Sequence, residues 1–304
     1  MPIPCWRSLI IILLLSSIIY IVATFRRPEV ITWPIPHFAL HEHDKIPVYY
    51  INTDTAKTRR DKMELKLKHN EPLNKRVRAI VPNDICQFDV KKGRCTNDGV
   101  TMCCLLSHIK AVFTAYHNNA PFALFLEDDA EIERWPVWHS LFKTAPRDWE
   151  MLRFFVTTDD APRIYASDAL WRRHEYGWWG AVAHVINRKG MKKILRSCVP
   201  EFGMVNNWDK IKRIDLTKMA GTGASCLADD GLFRILDSVH VCTDIFFNIE
   251  AADSGIQADR HIPWHMEMRT HVKEALAKNR RKFNDVYLPD RVDVYLPEQI
   301  HPSH

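Results

Sequence analysis

A run of apolar residues that ends in three adjacent acids constrains this chain more than any other sequence feature. The stretch "FALFLEDDAEI" places Glu127, Asp128 and Asp129 directly after the strand-forming residues 122–126. Three like charges at the end of a buried strand are costly unless a positive group lies beside them. Alternation along a strand puts Glu127 and Asp129 on one side and Asp128 on the other. Two such oxygen ligands can hold Mg²⁺ or Mn²⁺. Capping of the next helix is the alternative role for these acids.

The order of predicted strands and helices indicates an α/β fold. Strands are predicted at residues 46–52, 76–81, 122–128, 151–156, 181–187 and 239–247, and helical patterns at 55–70, 101–119 and 188–195. Alternating strands and helices form a mostly parallel sheet that is covered on both faces. In such a sheet the ligand crevice lies beyond the carboxyl ends of the strands. The acids therefore stand where a protein of this class places its chemistry.

The amino-terminal region predicts a membrane anchor. After a short flank at residues 1–7, residues 8–25 carry no charge and are long enough to cross a bilayer. A cleaved signal peptide is the alternative, because Ala23 could precede a cleavage site. Residues 26–45, with three prolines, read as a stem. An uncleaved anchor followed by a stem predicts a type II membrane protein of the Golgi or endoplasmic reticulum.

The remaining chain divides into a body and a tail. We predict one domain at residues 46–270 and a basic helix with a C-terminal tail at residues 271–304. The formal net charge of +5 fits a nucleotide phosphate or a lipid surface as partner and is too small to indicate nucleic acid. Among the cysteines, Cys86 and Cys95 are predicted to form a disulfide. Cys103 and Cys104 read as buried packing, and no cysteine and histidine spacing indicates zinc.

Polar residues after the first strand predict a phosphate-binding region. Asn52 and Asp54 follow that strand, and Arg59 and Arg60 lie on the next helix, close to where the acids should lie. Ser107 and His108 interrupt an otherwise apolar helix, where a satisfied packing role is the ordinary interpretation. Without a G-x-S-x-G elbow, a serine hydrolase is disfavoured.

Four segments, taken in order, resemble glycosyltransferase family 25, which includes bacterial lipopolysaccharide galactosyltransferases and animal procollagen galactosyltransferases. They are "VYYINTDTAKTRRDKM", "GVTMCCLLSHIKAVFTAYHNNAPFALFLEDDAEI", "GWWGAVAHVINRKGMKKIL" and "ADDGLF", spread over roughly residues 46–255. The helix that leads into Glu-Asp-Asp is the most specific block. The resemblance implies a single Rossmann-like (GT-A type) domain. It also implies inverting transfer of galactose or glucose from a UDP-sugar to a hydroxyl of a glycan, a lipid-linked, lipopolysaccharide-like acceptor, or a protein hydroxylysine.

The resemblance also implies residue roles. Glu127 and Asp129 would bind Mn²⁺ (or Mg²⁺), and either Asp229 or Asp230 would act as general base. The donor nucleotide would be bound or its pocket braced by Asn52, Arg59, Arg60, Ser107, His108 and Asp128. Asp229 and Asp230 could instead cap a helix. Trp178 and Trp179 could stack on a sugar or pack in the core.

Two further interpretations come from other classes. A relative that kept the fold but lost catalysis would act as a membrane-tethered binding or adhesion protein, and the intact acids argue against it. A metal-dependent phosphohydrolase would need several His and Asp ligands at strand ends, and that set is not evident.

Overall fold

The apolar strands assemble into one seven-stranded sheet. The computed structural model describes residues 45–93, 99–219, 227–250, 266, 267, 269–271 and 274. The strands of the main sheet are β1 Val48–Asn52, β2 Asn74–Arg78, β4 Phe122–Glu127, β6 Met151–Arg153, β7 Trp171–Arg173, β8 Ala183–Asn187 and β10 Val239–Cys242. Their order across the sheet is β2–β1–β4–β8–β6–β10–β7.

Most strands of this sheet run in the same direction. β1 pairs in parallel with β2 and β4, and β6 pairs in parallel with β10. β8 lies antiparallel between β4 and β6, and β7 is antiparallel to β10. The mostly parallel sheet is confirmed, and it is compatible with a Rossmann-like domain. Because β8 is reversed, its amino end lies at the same sheet edge as the carboxyl ends of β4 and β6.

Helices cover both faces of the sheet, as predicted. They are α1 Lys57–Leu67, α2 Pro82–Ile85, α3 Gly99–His117, α4 Trp138–Thr144, α5 Ala161–Tyr165, α6 Arg188–Cys198 and α7 Ala228–Ile235. The side chains of β4 alternate between two cores. Ala123 and Phe125 pack with residues of α3, α6 and α7, whereas Leu124 and Leu126 pack with residues of α1 and α4. The strand delivering the acids is therefore buried on both faces.

Two small ribbons complete the fold. β3 Asp89–Lys91 pairs in parallel with β9 Arg213–Asp215, and β5 Ala130–Ile132 pairs antiparallel with β11 Phe247–Ile249. The prediction of one strand over 239–247 is wrong, because β10 ends at Cys242 and β11 belongs to another sheet. Thr243 Oγ1 donates to the Ala169 carbonyl at 2.8 Å, and Asp244 pairs with Arg134. These contacts hold the chain in a turn out of the main sheet.

Several sequence predictions fall partly outside the described residues. The predicted flank, anchor and stem before residue 45 lie there, as does most of the predicted tail. The described residues from 45 to 250 belong to one compact unit. Among the described helices, only α3 is long and apolar enough to cross a membrane, and 67% of its most apolar window is buried. α3 thus has the burial of a core helix. Cys86 carries a free thiol, and Cys95 is not among the described residues.

Candidate active site

The three acids lie at the carboxyl edge of the sheet. Glu127 is the last residue of β4, and Asp128 and Asp129 form the turn into β5. The backbone N–H of Glu127 donates to the Val182 carbonyl at 3.0 Å, just before β8 begins. The chain ends of β1, β4 and β8 therefore meet around the acids, because the first two point toward this edge and the third starts from it.

Asp128 is held by side chains of β1 and α1. Asn52 Nδ2 donates to Asp128 Oδ2 at 2.6 Å, and Arg59 Nη1 lies 3.0 Å from Asp128 Oδ1. Arg76 Nε in turn donates to Asn52 Oδ1 at 3.0 Å. Burial raises the pKa of Asp128, while Arg59 and Asn52 oppose that shift. The structure therefore brings together Asn52, Arg59 and Asp128, three of the residues predicted to face the nucleotide.

Glu127 faces the opposite side, toward α3. His108 Nε2 lies 2.9 Å from Glu127 Oε1, and Cys104 Sγ donates to the same oxygen at 3.6 Å. Burial is the main cause that raises the pKa of Cys104, and the charges of Glu127, Asp229 and Asp129 add to it. Sequence reasoning missed Cys104. The available signal was its spacing of four residues from His108, which places both on one helix face.

Asp129 carries a buried oxygen that the described residues leave without a hydrogen-bond partner. That atom is Oδ1. The Asp129 backbone carbonyl accepts from the N–H of Glu250 at 2.7 Å, which fixes the turn. Burial and the charges of Glu127 and Asp128 raise the pKa of Asp129 to about 8. A desolvated carboxylate beside two others is a ligand set that suits a hard divalent cation. The predicted Mg²⁺ or Mn²⁺ therefore fits these residues.

Asp229 reaches the acids from α7. Its Oδ2 accepts a hydrogen bond from the N–H of Gly180 at 2.9 Å. Gly180 has a φ of +102°, and a Cβ there would lie 3.1 Å from Phe155 Cδ1, so the position requires glycine. Burial raises the pKa of Asp229; the Gly180 N–H and Arg153 oppose this, and the Glu127 charge adds to it. Asp229 therefore lies within electrostatic reach of Glu127.

Asp230 is placed differently from its neighbour. Its Oδ2 lies 2.8 Å from Nε of Arg234, one turn later on α7, and the residue is only 6% exposed. This ion pair secures the helix and directs the Asp230 carboxylate to Arg234. Of the two acids predicted as general base, the structure brings Asp229 to the cluster.

A buried arginine supports the loop that holds Asp229. Arg153, at the end of β6, is fully buried and donates to the carbonyls of Trp178, Trp179 and Gly180 at 2.7 Å each. It also donates to His174 Nδ1 at 2.8 Å. Burial lowers the pKa of Arg153 to about 9. Sequence reasoning missed this residue, because its partners lie 21 or more positions away along the chain.

The other predicted site residues take supporting positions. Ser107 Oγ accepts from the Ile80 N–H at 2.8 Å and donates to the Cys103 carbonyl at 2.6 Å, so it braces α3 against the chain that follows β2. Arg60 pairs at 3.6 Å with Asp61 and not with the acid cluster.

The remaining polar and aromatic candidates are also located. Asp54 pairs with Arg76 at 2.6 Å and Arg78 at 2.7 Å. Trp178 is buried in a small core cluster, as expected of packing, whereas Trp179 is partly exposed and pairs through its backbone with Thr157.

No protein-family model matches this chain, and a search of curated proteins gives no significant match. The resemblance to glycosyltransferase family 25 stays a prediction. The geometry at the carboxyl edge is therefore what supports a function.

Proposed function

We propose that this chain is a membrane-anchored, metal-dependent hexosyltransferase. It would move galactose or glucose from a UDP-sugar to a hydroxyl of a glycan, a lipid-linked acceptor or a protein. The observation that carries the proposal is the position of Glu127, Asp128 and Asp129 at the carboxyl end of β4, with Asp229 bonded to Gly180 just before β8 starts from the same edge of the sheet. This edge is where a mostly parallel sheet binds nucleotides.

The charge balance of the cluster supports a divalent cation. Four carboxylates stand against two nearby guanidinium groups, those of Arg59 and Arg153. Asp129 would bind the ion together with Glu127, because Asp129 Oδ1 is buried without a hydrogen-bond partner among the described residues, whereas Asp128 forms an ion pair with Arg59. When bound, Mn²⁺ or Mg²⁺ would neutralise the charge that develops on the departing diphosphate.

The chain's own residues would supply the remaining chemistry. Arg59, which forms an ion pair with Asp128, would orient a phosphate oxygen. Asp229 would accept the proton of the acceptor hydroxyl as that oxygen attacks the anomeric carbon from the face opposite the leaving diphosphate. The Gly180 N–H fixes the position of the Asp229 carboxylate for this role.

The test is UDP release by the full chain in detergent, from UDP-galactose and UDP-glucose, with Mn²⁺, Mg²⁺ or chelator. We expect cation-dependent release that falls about 100-fold or more in Asp129→Asn and Asp229→Asn. Asp237→Asn is the matched control, because Asp237 is 85% exposed and pairs with Lys193 away from the cluster. Its activity should stay within about twofold of the wild type.

Two outcomes would change the proposal. If no UDP-sugar is turned over and Asp129→Asn leaves nucleotide binding unchanged, the transferase proposal fails and a binding protein becomes the better interpretation. If Asp230→Asn loses more activity than Asp229→Asn at equal thermal stability, the general base is Asp230.

A further inference from the structure

Three different donor atoms, one of them from the acid Glu127, lie close together at the candidate site. Cys104 Sγ, His108 Nε2 and Glu127 Oε1 all lie within 4.8 Å of one another. The carboxylate oxygen lies 2.9 Å from the imidazole nitrogen and 3.6 Å from the sulfur. In a tetrahedral zinc site with bonds of about 2.0 to 2.3 Å, ligand atoms are roughly 3.3 to 3.6 Å apart. Small side-chain adjustments would therefore place the three atoms around one ion.

The elements that carry these donors hold them firmly. Cys104 and His108 lie one turn apart on α3, which is a core helix, and Glu127 ends the buried strand β4. His108 is only 1% exposed, so little rotation is open to its ring. Donors on rigid elements form more exact metal sites than donors on loops.

The donor chemistry distinguishes this set from the one in the proposed function. Thiolate and imidazole are soft or borderline ligands that select Zn²⁺ and similar ions, whereas Mg²⁺ and Mn²⁺ prefer oxygen. The carboxylates of Asp129 and Asp229 bear electrostatically on Cys104 and add attraction for any cation. Three protein ligands also leave a fourth tetrahedral position open.

We propose that Cys104, His108 and Glu127 form a binding site for a thiophilic divalent cation, and that this cation is Zn²⁺. The ion replaces the thiol proton and takes one bond each from sulfur, nitrogen and oxygen. Because Glu127 also belongs to the oxygen ligand set, the two ions compete for it. Zinc occupancy then inhibits turnover, and this last consequence rests on the proposed transferase.

The test uses Co²⁺ as a spectroscopic substitute for Zn²⁺, titrated into the reduced full chain in detergent. We expect a thiolate-to-cobalt charge-transfer band that saturates at one equivalent and disappears when Zn²⁺ is added. Cys104→Ser should abolish the band. Glu127→Gln should keep it but weaken binding, by at least the roughly 10- to 100-fold typical of changes around a metal. Cys86→Ser, which removes an exposed free thiol, is the matched control and should leave the band unchanged.

The outcomes separate this inference from the transferase proposal. If the wild type gives no thiolate band, or if the band survives in Cys104→Ser and is lost in Cys86→Ser, the zinc site is wrong. If Cys104→Ser melts at the wild-type temperature, unfolding is excluded as the cause of a lost band. If it melts at a lower temperature, His108→Gln becomes the deciding variant. A folded His108→Gln protein that keeps the band would overturn the site. UDP release without a band contradicts only the zinc site. A band without UDP release contradicts only the transferase.

Discussion

Arg153 is a buried charge whose hydrogen bonds go mainly to the backbone. Its guanidinium is satisfied mainly by backbone carbonyls of the loop that positions Asp229. Removing it would leave the carbonyls of Trp178 and Gly180 without their donor, and each unsatisfied buried group costs about 1–3 kcal/mol. The arginine therefore links the stability of the protein to the geometry of its site.

We predict that Arg153→Met destabilises the protein by about 3 kcal/mol or more, because the carbonyls of Trp178 and Gly180 lose their donor, whereas the Trp179 carbonyl keeps the Thr157 N–H. Thermal denaturation should show a fall of roughly 6 °C or more. Arg163→Met is the control, since the Arg163 side chain is 62% exposed, and it should change little. Equal melting temperatures for the two variants would contradict the role assigned to Arg153.

A second prediction concerns the pH dependence of stability in the metal-free protein. Asp129 has a pKa of about 8 in the folded state against an ordinary 3.8. Between these values the folded protein keeps a proton that the unfolded chain has released. Stability therefore falls as the pH rises through this window, by up to about 1.4 kcal/mol per pH unit.

The measurement is the melting temperature with chelator at pH 5 and pH 8, in the wild type and in Asp129→Asn. The variant should show a smaller fall, because an amide does not titrate there, and Mn²⁺ should restore the wild type most at pH 8. If the melting temperature falls equally between pH 5 and pH 8 in the wild type and in Asp129→Asn, Asp129 ionises normally.

Residue identity revealed the acids but not how they are supported. Glu127, Asp128 and Asp129 could be predicted because a charged triplet after an apolar strand is costly without a partner. Arg153 could not, because a single arginine inside an apolar run gives no sign of carbonyl partners that are distant in sequence. The same holds for the Gly180 contact to Asp229, which depends on a backbone conformation and not on a side chain.

At the scale of elements, α6 shows how closely a helix can approach the sheet. Gly190 in its first turn faces the backbone, where an added Cβ would lie 2.6 Å from the Glu150 carbonyl oxygen and 2.9 Å from Ile186 Cγ2. The N-cap Asn187 fixes the start of this helix by accepting from the Gly190 N–H at 2.9 Å. The close approach of the Glu150 carbonyl and Ile186 leaves no room for a side chain at Gly190.

We predict that Gly190→Ala costs about 1–3 kcal/mol, because the backbone must move to admit the methyl group. Gly99→Ala in α3 is a matched helical control, since its nearest contact would be a side-chain atom at 3.9 Å, and it should be neutral or slightly stabilising. Denaturation of both variants measures the change in the free energy of unfolding. A neutral Gly190→Ala would mean that α6 packs more loosely than described.

Elements with long apolar runs were predictable, and short ones were not. Six runs identified the strands of the main sheet other than β7. Most residues of β1, β4, β6 and β8 are buried, which requires continuous apolar residues, whereas the edge strand β2 is mostly polar and partly exposed. β3, β5, β7 and β9 have three residues each and too little pattern to detect. The break between β10 and β11 was missed because only Thr243 and Asp244 interrupt the apolar run.

At the scale of the whole molecule, the sequence predicts a protein tied to a bilayer through residues 8–25. We expect the full chain to stay with membranes during alkaline extraction, whereas a chain starting at Lys45, the first described residue, should be released. Immunoblotting of pellet and supernatant gives the readout. Release of the full chain would contradict an uncleaved anchor.

The reversed strand β8 returns the chain to the edge of the sheet where the acids lie. The chain leaves that edge after Arg153, forms α5 and the outermost strand β7, and comes back before Ala183. The last part of this excursion is tied to the candidate site, because the Gly180 N–H donates to Asp229. The turn at residues 166–169, between α5 and β7, is mostly exposed. Insertions or deletions can therefore accumulate in that turn while the register of β8 against β4 and the Gly180 contact stay fixed.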